Sequence, residues 1–209
     1  MNSTNWFSRI NAFSNPTLLR ATPWMTDGSV AFLRNFCLLF AEKHHTLPSI
    51  LEFGAGAGTL FFASHAAALV TYEDNPQWCQ NIKSVLETFA FGHCRMILAE
   101  RPYSNCLNNV SEKYDVISID GRDRVLCLKQ CLQLGLLAQD GVLVLDNTER
   151  INNYGGMYKE MLCLLEDFSL IHFEQLGKDS TGWNAPHRWI TTIAFRKADT
   201  QYTTQGAPL

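Results

Sequence analysis

Ile50-Leu-Glu-Phe-Gly-Ala-Gly-Ala-Gly58 is the stretch on which the reading of this chain turns. Ser49 to Phe53 reads as a short buried strand, broken by Gly54, Gly56 and Gly58. Glycine has no Cβ, so such a loop turns tightly and lets a ligand approach the main chain closely. Thr59 to Leu69, rich in alanine and phenylalanine, reads as a helix packed on a sheet, and Leu69-Val-Thr-Tyr72 as a second strand that runs into Glu73-Asp74. A G-x-G-x-G string by itself is a weak signal. A strand before it, a helix after it and an acid closing the next strand together point to a ligand loop.

The alternation continues in both directions. Thr26 or Asp27 can cap a helix in which Val30, Leu33, Phe36, Cys37 and Phe40 recur at three- and four-residue spacing, ended by Pro48. Asn75-Pro76 opens a helix to about Phe89, with proline in its favoured first turn. Arg95 to Leu98 and Tyr114 to Ile119 read as strands three and four, and Arg124 to Ala138 as a helix. Gln139-Asp-Gly141 reads as a turn into strand five, Val142 to Leu145, and a helix is expected from Met157 to about Asp167. Leu170 to Gln175 and Trp189 to Phe195 are strand-like, with only the loop Gly177 to Arg188 between them, which predicts an antiparallel hairpin at one edge of the sheet. The fold class is α/β: a Rossmann-like, doubly wound, mostly parallel seven-stranded sheet with an antiparallel last strand.

Composition fits that class and narrows the partners. The chain has 209 residues, enough for one sizeable core; 46% are hydrophobic and 18% charged, a globular profile. A net charge of -3 gives no drive toward nucleic acid or anionic membrane, and no apolar run is long enough to span a bilayer. Seven cysteines without a C-x-x-C pair, and no secretory leader, favour free thiols, a reducing compartment and a cytoplasmic location. Cys127 and Cys131 share a helix face and read as small core residues. The expected layout is an extension over residues 1–22, one domain over 23–197 and a flexible tail over 198–209. A homodimer is compatible with it.

The spacing also speaks to the cofactor. An NAD fingerprint would place its third glycine at position 59, which is threonine. Glu52, just before the glycines, suits a cationic, amino-acid-bearing ligand and would repel a pyrophosphate; partnering a nearby helix N-terminus is its structural alternative. Ile50 to Gly58 resembles motif I of the class I S-adenosylmethionine-dependent methyltransferases, and Val70-Thr-Tyr-Glu-Asp74 resembles their acidic second motif. The resemblance covers roughly Trp24 to Arg196. It implies that Gly54, Ala55, Gly56 and Gly58 cradle the methionine portion, with Glu52 beside them. It implies that Glu73, with Asp74, holds the ribose, that Ala99 and Glu100 lie near the adenine, and that Asp120 borders the methyl donor.

Strands four and five end in Asp120-Gly-Arg-Asp-Arg124 and Asp146-Asn-Thr-Glu-Arg150, on the same side of the sheet as the glycine loop. Asp120, Asp146 and Asn147 can converge there as oxygen ligands for Mg²⁺ or another divalent cation. Without a metal, Asp120 or Asp146 can act as general base; structural ion pairing is the third reading. The Asp…Asp-Asn arrangement resembles the metal triad of cation-dependent O-methyltransferases of catechols and caffeoyl thioesters. It departs from them where they carry a lysine after strand four, and looks more like a poorly characterised class I group in which no metal is assumed. Arg122 and Arg124 can bind an anionic substrate or pair with Asp123 and Glu149.

The expected function is methylation of a small-molecule oxygen acceptor. A non-catalytic nucleotide-binding module and an NAD-dependent oxidoreductase are the rivals. Trp24, the loop Tyr154-Gly-Gly156 and Trp183, His187 and Arg188 are further substrate-side candidates; Trp24 is more readily read as packing and His187 as an exposed loop residue.

Overall fold

The computed structural model describes residues 23–150, 157–178 and 183–197. Helix α1 (Asp27–His44) leads into β1 (Ser49–Phe53), α2 (Ala57–Ala63), β2 (Ala68–Glu73), α3 (Pro76–Thr88) and β3 (Cys94–Leu98). A 3₁₀ turn (Tyr103–Leu107), β4 (Tyr114–Ile119), α4 (Arg124–Gln133) and β5 (Leu137–Asp146) follow. A second 3₁₀ turn (Thr148–Arg150), α5 (Met157–Cys163), β6 (Phe168–Lys178) and β7 (Trp183–Arg196) complete the order. The expected extension over 1–22, the tail over 198–209 and the loop Tyr154 to Gly156 lie outside the described residues.

Seven strands form one sheet in the order β3-β2-β1-β4-β5-β7-β6. The first five are parallel; β7 enters antiparallel between β5 and β6, so the expected hairpin forms the edge. Side chains alternate between the two faces, apart from the irregularity where β4 meets β5. Ile50, Val116, Val142, Val144 and Ile193 face a layer built from α1, α2 and α3. Leu51, Phe53, Ile117, Ile119, Leu143 and Leu145 face α4, α5 and the first 3₁₀ turn. Both faces are thus covered, as a parallel sheet requires. Cys127 and Cys131 are fully buried, and burial pushes the Cys127 thiol up to about 12. No helix among the described residues is long and apolar enough to cross a membrane.

Several boundaries move for physical reasons. Helix α2 stops at Ala63 rather than Leu69, because the Ala67 N–H bonds to the Pro48 carbonyl and Ala68 pairs with Ser49 to open β2. Alanine-rich sequence here yields to strand pairing. Helix α4 ends at Gln133, not Ala138. Gly135 sits at φ +62, its N–H bonds to the Leu132 carbonyl, and the Leu136 N–H bonds to that of Cys131, a Schellman stop. Gln139 to Gly141 is not a turn but an irregularity inside β5, where Tyr114 pairs with Leu137 and Val116 with Val142. Strand β7 begins at Trp183, so part of the expected loop Gly177 to Arg188 is strand; Arg188 is bonded to Glu174 across the hairpin at 2.7 and 2.8 Å.

Candidate functional site

The strand order reverses between β1 and β4, the place where open α/β sheets form a crevice beyond the carboxyl ends of their strands. The two backbones cross closely at that point. A Cβ on Gly54, which sits at φ +93, would lie 2.5 Å from the Gly121 Cα; one on Gly121 would lie 2.7 Å from Tyr103 Cε2 and 2.8 Å from the Gly54 nitrogen. Each glycine exists because the other main chain occupies its side-chain space. A side chain of any size therefore has no room at position 121. Gly56 differs: nothing lies within 4 Å of its Cβ position, so open space stands over the loop.

Four contacts hold the loop. The Gly54 N–H donates to the Tyr72 carbonyl (2.8 Å), the Ala55 N–H to Glu73 Oε2 (2.9 Å) and the Gly56 N–H to Thr59 Oγ1 (2.9 Å). Trp78 Nε1 donates to the Ala55 carbonyl at 2.6 Å. Glu73 Oε1 also accepts the Asn75 N–H at 2.8 Å, so this carboxylate ties the glycine loop to the turn before α3. Burial raises its pKa and the two N–H donors oppose that. A carboxylate offers about four acceptor positions, which leaves capacity for ribose hydroxyls. Beside it the Asp74 N–H donates to the Tyr103 hydroxyl (3.0 Å), which donates to Asp74 Oδ1 (2.6 Å). Ala99 is buried, its N–H on the Glu73 carbonyl at 2.8 Å, and Glu100 is exposed. Tyr103 is fully buried, stacked on Phe53 at 6.3 Å.

Glu52 takes the structural alternative. It alternates onto the α2 side of the sheet, 2% exposed, where Oε2 accepts the Thr71 hydroxyl at 2.8 Å. Its Oε1 lies 3.1 Å from where a Gly58 Cβ would be. Burial pushes its pKa up to about 8, against the hydrogen bonds from Thr59 and Thr71. In this position the carboxyl supports the first turn of α2 from below.

At the ends of β4 and β5 the site is built from side chains. Arg124, the first residue of α4, lies almost entirely inside. Its Nη2 donates to Asp120 Oδ1 (2.8 Å) and the Asp120 carbonyl (2.7 Å), its Nη1 to the Asp146 carbonyl (2.6 Å) and Asn147 Oδ1 (3.5 Å), and its Nε to the Gly121 carbonyl (3.0 Å). Asp120 keeps its side chain 37% exposed toward solvent. Asp146 is 2% exposed and turned toward β7: Oδ1 accepts the Thr191 hydroxyl at 2.6 Å, and both oxygens lie 3.1 Å from Trp189 Nε1. Thr191 Oγ1 in turn accepts the Thr26 N–H at 3.0 Å, which fastens the start of α1 to this end. Burial raises the pKa of both aspartates, for Asp146 reinforced by the charge of Asp120, and Arg124 lowers each.

The expected metal set of Asp120, Asp146 and Asn147 does not fit a divalent cation. A guanidinium already bridges Asp120 and Asn147, both Asp146 oxygens are committed to β7, and no group of three or more His, Cys, Asp or Glu able to hold a metal occurs among the described residues. Two charges on a metal about 4 Å from the guanidinium would meet repulsion on the order of 8 kcal/mol at an effective dielectric of ~20. Asn147 has a backbone reason to be there: it turns the chain at φ +61, a conformation asparagine tolerates. The same contacts commit the Asp146 carboxylate to β7. Asp123 pairs with Arg101 (2.7 Å) and Glu149 with Arg150 (3.3 Å), not with Arg122 or Arg124. Trp24 is 48% exposed, between buried Pro23 and Met25; the side chains of Trp183 and His187 lie outside the described residues.

Sequence reasoning passed over Trp78, Tyr103, Gly121, Trp189 and Thr191. Trp78 carried a signal, an indole N–H one turn into a helix that starts beside the binding acid, where such a donor needs a partner. The β7 residues carried none, because their role depends on which strand β7 joins.

No family model matches the sequence, and no curated protein matches it. Solved structures do. An O-methyltransferase from Bacillus cereus, in complex with S-adenosylhomocysteine, superposes with a TM-score of 0.65 at 17% identity over 92% of this chain and 96% of its own. TomG, an O-methyltransferase of tomaymycin synthesis from Streptomyces achromogenes in complex with S-adenosylmethionine, gives 0.65 at 16% identity over 95% and 100%. An S-adenosylhomocysteine-bound methyltransferase from Podospora anserina gives 0.58 at 17% over 95% and 97%. At these identities the likeness establishes the fold. The chain has the class I methyltransferase fold, with its 3-2-1-4-5-7-6 sheet and antiparallel β7.

Proposed function

We propose that the chain is an S-adenosylmethionine-dependent methyltransferase acting on the oxygen of a small molecule. The observation that carries this is the cradle at the strand-order reversal. Open space stands over Gly56, and Glu73 at the end of the adjacent strand holds the Ala55 N–H. These residues fit the cofactor: the bare loop accepts its methionine portion, and Glu73 has acceptor capacity for its ribose. The NAD reading is weaker because position 59, where that fingerprint needs a glycine, holds a buried threonine whose hydroxyl fixes the loop.

S-adenosylmethionine, when bound, supplies an electrophilic methyl group on a sulfonium. Asp120 is the general base of the proposed reaction, the carboxylate at the end of β4 that keeps an exposed face. It receives the proton of the acceptor hydroxyl as the new O–CH₃ bond forms and the S–CH₃ bond breaks. Burial lifts its pKa toward that task, and the Arg124 guanidinium opposes the rise. Asp146 contributes from behind, holding Trp189 and Thr191 of β7. The oxygen acceptor is supported by the O-methyltransferases among the similar structures.

Titration calorimetry with S-adenosylmethionine, S-adenosylhomocysteine and NAD tests the reading. Micromolar binding of the two sulfur compounds, without NAD, is the expected result. Binding of NAD alone overturns it.

A further inference from the structure

We propose that Arg124 occupies the place of a catalytic divalent cation, so that the chain binds its methyl donor and works without a metal ion. This rests on the methyltransferase reading for its meaning, but its geometry stands apart from it. Five oxygens converge on one guanidinium: the Asp120 carboxylate and carbonyl, the Gly121 carbonyl, the Asp146 carbonyl and the Asn147 amide oxygen. An all-oxygen set drawn from two carboxyl strand ends is what a hard cation seeks. Here the cation is part of the chain.

Three features keep it there. Arg124 begins α4, so its backbone is fixed by the helix and its side chain need only reach back over the preceding turn. Its guanidinium lies 5.7 Å from the centre of the Tyr158 ring, which covers it. The fork is planar and permanently charged, and it satisfies both strand ends at once without a vacant coordination position. The carboxylate that would complete a metal set, Asp146, is held away from it by Trp189 and Thr191. Arg124 is thus a positioning residue: it fixes the ends of β4 and β5 relative to each other and orients Asp120 toward the crevice.

Removing the guanidinium leaves five oxygens without their cation, and that makes the proposal testable by metal binding itself. Mn²⁺ is titrated into the full chain, followed by electron paramagnetic resonance, with and without S-adenosylhomocysteine. The wild type is expected to bind no stoichiometric Mn²⁺, and its affinity for S-adenosylhomocysteine to change less than twofold between Mg²⁺ and chelator. Arg124→Gln is expected to raise Mn²⁺ affinity at least tenfold, and Arg124→Lys to suppress it again. A stoichiometric Mn²⁺ site in the wild type that Asp120→Asn abolishes overturns the proposal. So does a folded Arg124→Gln chain with no gain in Mn²⁺ affinity, which would leave the arginine a plain structural tie. If Arg124→Gln does not fold, the wild-type titration still decides. Failure of S-adenosylhomocysteine to bind strikes the methyltransferase reading and leaves the Mn²⁺ result to be read separately.

Discussion

The two halves of the crevice are made of different material. Beyond β1 and β2 the walls are main chain: Gly54 against Gly121, an open Gly56, and one carboxylate, Glu73, which grips N–H groups on both sides. Beyond β4 and β5 the walls are side chains gripping one another, with Arg124 on Asp120 and Trp189 and Thr191 on Asp146. A backbone wall tolerates almost no added atoms but needs few residue identities. A side-chain wall can change shape with any one of its members, yet each member is committed by charge or hydrogen bonding to a partner far away in sequence. The first half suits a ligand part that never varies, and the second suits one that differs between enzymes of one fold.

The contrast can be broken most severely at Gly54. Gly54→Ala places a methyl 2.5 Å from the Gly121 Cα at φ +93, and is expected to cost more than about 3 kcal/mol. Denaturant melts should show the loss together with undetectable S-adenosylhomocysteine binding; near-wild-type stability would refute the crossing. Asp120→Asn sharpens the contrast from the other side. Methyl transfer should slow by about 10²–10⁴-fold while affinity for S-adenosylhomocysteine changes little, read by single-turnover kinetics beside calorimetry. A variant that loses binding instead would make Asp120 a cofactor residue. Glu73→Ala should reverse that pattern, weakening S-adenosylhomocysteine by about 100-fold, or ~2.7 kcal/mol, in a chain that still folds.

A pH-dependent effect concerns Glu52. Its pKa is raised from 4.5 to about 8 by burial, so between those values the folded chain keeps a proton the unfolded chain has lost. Stability from this group therefore falls as pH rises, at most ~1.4 kcal/mol per unit, and is constant outside the window. Glu52→Gln should remove that slope, so the stability difference between variant and wild type grows in the variant's favour from pH 5 to pH 8. Parallel thermal melts at the two pH values would expose a constant difference, which would place Glu52 in contact with water.

These two halves were not equally legible in the sequence. The glycine half is local: strand, glycines, helix and acid lie between Ser49 and Asp74, and chirality and sterics alone demand glycine at Gly54. The acidic half was visible only as a list of groups. Asp120, Asp146, Asn147 and Arg124 were all recognised, but composition cannot say whether two carboxylates share a cation or turn their backs. That choice was made by Trp189 and Thr191, which reach Asp146 because β7 pairs with β5, a register set by the whole hairpin. The Schellman stop at Gly135 was readable and was overrun by the apolar run beyond it.

The insertion of β7 between β5 and β6 also sets a sequence of events. The five parallel strands can assemble while the chain beyond Asp146 is still unformed, and they already carry Gly54, Glu73 and Gly121. Asp146 gains its indole and hydroxyl donors only when the distant hairpin docks. Long-range pairing of this kind forms late because loop closure must precede its reward. The glycine half should therefore mature before the acidic half, and hydrogen exchange during refolding should protect the amides of β1 and β2 ahead of those of β7.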